Sequence, residues 1–90
     1  MKSKLKIADA GNVTVPAFLA LEQRGYSVRC ERSDDGSHET WIAESAYAEL
    51  LAENLLALLG LAALAEARGS DWKASDAQIE DFLQKYGYDD

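Results

Sequence analysis

The sequence predicts a small α+β domain, in which helices pack on one face of a small sheet with a β-hairpin, in the order β-α-β-β-α-α. Two runs of alternating polar and apolar residues flank Asp35-Gly36, a pattern typical of a hairpin. Apolar residues recur at helical intervals over 45–68, and a capping box at Ser75–Gln78 begins another helical pattern. The 90 residues are enough for one globular domain, in which we expect 1–3 and 88–90 to be loose.

The first part of the chain predicts a strand followed by a helix. Residues 4–8 alternate polar and apolar side chains, which indicates a short half-buried strand with its two large apolar residues inward. Thr14 and Pro16 suit the start of a helix from about residue 15 to 24, and Gly25 suits its end. If the first two strands are parallel, this unit forms a right-handed crossover. The residues that this helix is expected to bury are Val15, Phe18, Leu19 and Leu21.

The hairpin register follows from a two-residue loop at Asp35-Gly36, which places Cys30 opposite Trp41 and an Arg32–Glu39 pair at the rim. The apolar face of the hairpin then consists of Tyr26, Val28, Cys30, Trp41 and Ala43. The other face is mostly polar and consists of Ser27, Arg29, Glu31, Thr40 and Ile42. A slip of one residue would destroy this separation.

Positions 45–68 predict one long helix, because their apolar residues form a broad stripe at 3.6 residues per turn. The stripe consists of Tyr47, Leu50, Leu51, Leu55, Leu58, Leu61, Ala62 and Ala65. Asn54 favours an N-cap, and Gly60 costs about 1 kcal/mol relative to alanine inside a helix. The alternative is an extended or irregular segment over 46–53, followed by a helix that starts at Asn54. We interpret Gly60 as a position of close packing against a neighbour. The apolar centre, Leu55–Ala65, is too short to cross a membrane.

The last helical pattern follows the capping box at Ser75–Gln78, and Gly87 ends it. Its apolar residues have the spacing i, i+3, i+4 and i+7, which is typical of one face of a helix. These residues are Ile79, Phe82, Leu83 and Tyr86.

The charge is strongly acidic, at -7, and no lysine or arginine occurs between Arg32 and Arg68. An acidic interval of this kind repels nucleic acids and anionic lipids and favours a basic protein as the partner. The alternative interpretation is a solvated acidic surface that keeps the chain soluble. Trp72 either covers the core or belongs to a docking patch. The candidate partner-binding residues are Asp34, Asp35, Glu39, Glu44, Glu49, Glu53 and Trp72.

No motif for catalysis or for a cofactor is present in the sequence. The hairpin register separates Cys30 from His38, so we expect neither a Cys–His catalytic pair nor a zinc site. Glu49 and Glu53 have the spacing to share a metal ion, but solvated charges on a helix are the better explanation. The sequence therefore predicts no catalytic residue, no cofactor and no metal site. The basic N-terminus lacks the apolar segment of a signal peptide, so we expect a cytoplasmic protein without a membrane span.

The segment LLGLAALAEARGSDW, Leu58–Trp72, resembles a segment of short uncharacterised bacterial proteins: LLGL, then an acidic residue, RG and Trp. The resemblance implies a shared fold and no activity. Our leading hypothesis is a non-enzymatic interaction domain, similar in profile to immunity or antitoxin proteins that inhibit a basic partner. The alternative is a homodimeric structural or small-ligand-binding domain, in which two copies bury Leu56, Leu59 and Leu64. An enzyme that uses carboxylates is a third hypothesis.

Overall fold

The computed structural model describes residues 4–87, which form three α-helices and one three-stranded antiparallel sheet, so the α+β fold class is confirmed. The element order is α-β-β-β-α-α, and the order β-α-β-β-α-α is therefore wrong. The expectation for residues 1–3 and 88–90 lies outside the described residues. The elements are α1 (Thr14–Gln23), β1 (Ser27–Arg32), β2 (Glu39–Glu44), β3 (Glu49–Ala52), α2 (Leu55–Arg68) and α3 (Asp76–Tyr86).

The N-terminal segment is not a strand, although its alternating pattern predicts one. Residues 4–9 have no regular secondary structure, and Leu5 and Ile7 are 83% and 73% exposed. The sheet consists of β1, β2 and β3, in that order, so the predicted crossover from a first strand into β1 is wrong. Alternation alone does not form a strand, because the backbone also needs a neighbouring strand with which to form hydrogen bonds.

Helix α1 begins after a 3-10 turn over Gly11–Val13, and Thr14 is its first residue and not its cap. Pro16 lies in the first turn, and Gly25 follows the helix with a φ of 92°, as suits a glycine just after a helix. Leu21 is fully buried and Phe18 is half-buried, as predicted. The prediction that Val15 and Leu19 are buried is wrong, because the face that contacts the core is that of Ala17 and Leu21.

The hairpin formed by β1 and β2 has the predicted register. Cys30 lies opposite Trp41, and Arg32 lies opposite Glu39. The loop is longer than predicted: the N–H of Ser33 donates to the carbonyl of His38 at 3.0 Å, which leaves four residues, 34–37, in the connection. A four-residue loop and a two-residue loop with the same centre give the same pairing, so the register is unaffected.

The prediction of one helix over 45–68 is wrong, and the alternative interpretation is closer to the structure. Residues 49–52 form β3, which pairs with β2 so that Ala43 lies opposite Leu50 and Glu44 lies opposite Glu49. Helix α2 starts after Asn54, whose side-chain Oδ1 accepts a hydrogen bond from the N–H of Ala57 at 2.8 Å. The pairing with β2 therefore determines the structure of a segment whose apolar spacing also suits a helix.

The core lies between the sheet and the helices α1 and α2, on the face of the hairpin that the sequence predicts as apolar. Leu21 and Leu58 are the largest fully buried side chains. The buried core cluster consists of Ala17, Leu21, Tyr26, Ala43, Leu55, Leu58 and Ala62. Ile42 lies on the opposite face but is only 3% exposed, between Arg29 and Leu51 on the adjacent strands.

The outer side of α2 is less tightly packed than the sequence suggests. A Cβ atom added to Gly60 would meet nothing within 4 Å, so the interpretation of Gly60 as a close-packing position is wrong. Leu56, Leu59 and Leu64 are half-buried. Among residues 4–87, no helix is both long and apolar enough to cross a membrane.

Candidate protein-binding site

A cleft of about 760 Å³ lies beside the turn between β2 and β3. The end of α1, the turn over 45–48 and the C-terminal end of α2 with the turn after it form its walls. We call it the aromatic cleft, because Tyr26, Tyr47 and Trp72 line it. The aromatic side chains suit contact with another molecule, since such residues combine a large apolar surface with a polar group.

Tyr47 is the most exposed of these aromatic residues, at 97%. A hydrogen-bonded turn holds its backbone: the N–H of Ser45 donates to the carbonyl of Ala48 at 2.9 Å, and the N–H of Tyr47 donates to Ser45 Oγ at 3.2 Å. The prediction that Tyr47 lies on the apolar stripe of a helix over 45–68 is wrong. The turn residue Ser45 and the cap residue Asn54, which bracket this segment, are the signals that indicate a different structure.

Trp72 also lines the cleft and is 49% exposed. Arg68 fixes the backbone there, because its Nε donates to the carbonyl of Trp72 at 2.9 Å and its Nη2 donates to the carbonyl of Lys73 at 3.2 Å. The ammonium group of Lys73 lies 5.6 Å from the centre of the Trp72 ring. Trp72 is not part of the buried core cluster, and about half of its surface is accessible in the cleft.

An ion pair between Arg24 and Glu66 joins the ends of α1 and α2 in the same cleft. Arg24 donates from Nη2 to Glu66 Oε1 at 2.6 Å and from Nε to Oε2 at 2.9 Å, a two-pronged geometry. These hydrogen bonds lower the pKa of Glu66 and, with the charge of Glu66, raise the pKa of Arg24. Both groups therefore keep their charges at neutral pH, and the pair links the ends of α1 and α2 beside the cleft.

The outer face of the sheet carries a cluster of charges around Arg29. The guanidinium group of Arg29 lies 3.2 Å from Glu44, 3.6 Å from Glu31 and 3.7 Å from Glu49. Glu44 and Glu49 oppose each other across β2 and β3, where like charges repel, and Arg29 offsets that repulsion. Glu49 also lines the aromatic cleft, so this acidic face and the cleft are continuous.

The other predicted acidic residues lie at the hairpin-loop end of the sheet. Glu39 pairs with Arg32 at 3.0 Å, as the register predicts. Glu39 and Glu53 line a second cleft of about 680 Å³. Asp34 and Glu53 are exposed, and in the part of the chain that the structure describes they form no ion pair. The seven candidate residues thus form two groups, with Glu44, Glu49 and Trp72 in or next to the aromatic cleft.

Asp35 has a local structural role in the hairpin loop. Its carboxylate accepts hydrogen bonds from the hydroxyl of Ser33 at 2.7 Å, from the N–H of Ser37 at 3.0 Å and from the hydroxyl of Ser37 at 2.8 Å. These hydrogen bonds, that of Ser33 foremost, lower the pKa of Asp35 to about 2. Asp35 is therefore engaged within its own loop, whereas its neighbour Asp34 is accessible.

The histidine and the cysteine lie in different environments. Cys30 is half-buried opposite Trp41, and His38 is exposed in the hairpin loop. Across residues 4–87, no three His, Cys, Asp or Glu side chains are placed to hold a metal ion together. The fold and the cleft define a small α+β protein with an aromatic and acidic surface. Family models, curated proteins and solved structures compared with this chain give no match.

Proposed function

We propose that the chain is a non-enzymatic protein-interaction domain, whose aromatic cleft and acidic outer sheet face bind a basic segment of another protein. The observation that carries the proposal is Tyr47, a tyrosine exposed at 97% on a hydrogen-bonded turn, in the same cleft as the half-exposed Trp72. Tyrosine and tryptophan are enriched among the residues that dominate binding energy at protein interfaces. A fixed backbone also reduces the conformational entropy that binding costs.

The charges beside the cleft favour a basic partner. Glu31, Glu44 and Glu49 surround the single cation Arg29, so this cluster has an excess of negative charge. Such an excess accelerates the encounter with a basic surface and repels acidic ones. An immunity-type or antitoxin-like inhibitor of a basic partner would use both properties, first attraction by charge and then burial of the aromatic side chains.

The chemistry of the cleft supports binding more than catalysis. Arg24 and Glu66 satisfy each other with two short hydrogen bonds, and their pKa values move away from neutrality. A general acid or base works best when its pKa is near the pH of the reaction, so this pair suits a structural role.

The test uses purified proteins encoded next to this gene, with basic products taken first, and calorimetry with each. We expect one product to bind, and we expect Tyr47→Ala and Trp72→Ala each to weaken binding about tenfold or more. Val15→Ala is the control, because Val15 is a 62% exposed apolar residue outside both the aromatic cleft and α3. Glu49→Lys is expected to slow association, more at low salt than at high salt. Binding that survives both aromatic substitutions, or no binding to any adjacent product, would overturn the proposal.

A further inference from the structure

Within residues 4–87, helix α3 has an apolar side whose residues are largely exposed. Ile79 and Tyr86 are 46% and 61% exposed, and no residue of α3 is buried. Phe82 lies on the same side and contacts Tyr86 edge-on, with 5.0 Å between the ring centres. Leu83 is half-buried. A helix with one apolar side usually packs that side against another element.

A second apolar surface lies between α1 and α2. It is a groove of about 440 Å³, which we call the helix groove, and Asp9 is the one charged residue among those that line it. The lining residues are Ile7, Ala8, Asp9, Val13, Pro16, Ala17, Ala20, Leu56 and Leu59. The neighbouring side of α2 has no charged residue between Asn54 and Glu66, although Ala57, Gly60 and Ala63 are exposed. A helix side that faces water usually carries charged residues, so this surface is unusual for a free helix.

The chain does not place its own α3 in the helix groove. No residue of α3 lines the groove, and the segment between α2 and α3 is fastened by Arg68, which donates hydrogen bonds to the carbonyls of Trp72 and Lys73. Each chain therefore presents both an apolar helix and an apolar groove, and these two surfaces do not meet within one copy.

We propose that α3 of one copy binds in the helix groove of a second copy, and that the two contacts form a dimer with two-fold symmetry. Symmetry makes the exchange reciprocal, because each copy supplies one helix and one groove. The dimensions agree: α3 has 11 residues and spans about 16 Å, which is enough to cover the groove that Pro16 and Ala20 on α1 and Leu56 and Leu59 on α2 line.

The charged residues at the borders of the two surfaces are opposite in sign, whereas Asp9, inside the groove, has the same sign as the α3 carboxylates. Asp76 and Glu80 are four residues apart on α3, so they form an acidic row along one border of its apolar side. Lys4 and Lys6 are exposed, and Lys6 directly precedes Ile7, which lines the helix groove. Opposite charges at the rim of an apolar contact favour one orientation of the helix over the other.

The first experiment measures the mass by light scattering over protein concentrations from about 1 μM to about 1 mM. We expect the mass to double from that of one chain to that of two within this range. Ala63→Lys on α2 and Ile79→Glu on α3 are each expected to keep the mass of one chain throughout. Both positions are exposed in the single chain, so the circular dichroism spectrum should stay unchanged. Ala77→Lys, at an exposed position about half a helical turn from Ile79 on α3, is the matched control and should still form dimers.

Mixing the two variants tests the exchange directly. A dimer of one Ala63→Lys chain and one Ile79→Glu chain has one unaltered contact, and its other contact joins a lysine to a glutamate. We therefore expect the equimolar mixture to recover the doubled mass that neither variant reaches alone. A wild-type chain that stays monomeric up to about 1 mM overturns the proposal. Dimers that persist in either variant, or a mixture that remains monomeric, also overturn it.

Discussion

Alanine at position 60 should stabilise the chain, because the structure gives Gly60 no packing role. Gly60 lies inside α2, where glycine is about 1 kcal/mol less favourable than alanine. An added Cβ atom would meet nothing within 4 Å, so no steric cost offsets this gain. We expect Gly60→Ala to raise the free energy of unfolding by about 0.5–1 kcal/mol. For a domain of this size, 1 kcal/mol corresponds to about 4–8 °C in Tm.

The assay is urea unfolding followed by circular dichroism, at a concentration where light scattering gives the mass of one chain. Gly25→Ala is the paired control, because Gly25 is also free of contacts within 4 Å but has a φ of 92°. Alanine is strained there, so this variant should lose about 1–3 kcal/mol. Alanine is thus expected to raise the free energy of unfolding at position 60 and to lower it at position 25. A Gly60→Ala variant that is less stable than the wild type would refute this reasoning, because it would show that Gly60 does pack closely against a neighbour.

Three further predictions concern the core, a helix cap and the hairpin loop. Leu58→Ala removes a fully buried side chain and should lower the free energy of unfolding in urea by about 2–5 kcal/mol, whereas a loss under 1 kcal/mol would place Leu58 outside the core. Asn54→Ala removes the cap of α2 and should cost about 1 kcal/mol, and Asn54→Asp should restore most of it; equal losses in both variants would exclude a capping role. Asp35 has a pKa of about 2 in the folded chain, below its ordinary value of 3.8. Its ionised carboxylate therefore contributes fully to the free energy of unfolding above pH 3.8, and this contribution is lost as the pH falls through about 2. NMR titration of the Asp35 carboxyl carbon checks this value, and a midpoint near 3.8 would contradict the hydrogen bonds in the loop.

The hairpin was predictable because two independent signals agree on it. The alternation of side chains fixes which residues face the core, and Asp35-Gly36 fixes the centre of the loop. Only one register satisfies both, and the structure has Cys30 opposite Trp41 accordingly. The capping box at Ser75 was predictable for a similar reason, since a cap depends on four adjacent residues and not on the remainder of the fold.

The strand β3 was not predictable from apolar spacing, because Leu50 and Leu51 fit both a helical stripe and a short strand. Four residues are too few to separate a period of two from a period of 3.6. The pairing of Ala43 with Leu50 decides the structure, and that contact is not local in the sequence. The opposite error occurs at residues 4–8, where a good alternating pattern lacks a neighbouring strand.

The incorrect helix over 45–68 also affects the prediction of the candidate site. Trp72 and Glu49 were identified from residue type and charge, and both line the aromatic cleft. Tyr47 was missed as a binding residue, because the helical interpretation of 45–68 turns its side chain toward the core. The acidic interval in the sequence also overstates the free negative charge, since Arg29 and Arg32 contact carboxylates from neighbouring strands.

Helix α3 receives little support from the core, because none of its residues is buried. An isolated helix of 11 residues is near the length at which helices in water become marginal, and α3 adds no buried residue to the core. Its amide hydrogens should therefore exchange through local opening, faster than those of α2, even when the whole chain is stable. Any surface that covers Ile79 and Tyr86 would slow exchange along α3 alone. The exchange rate of this one helix is thus a measure of contact that requires neither a label nor a known partner.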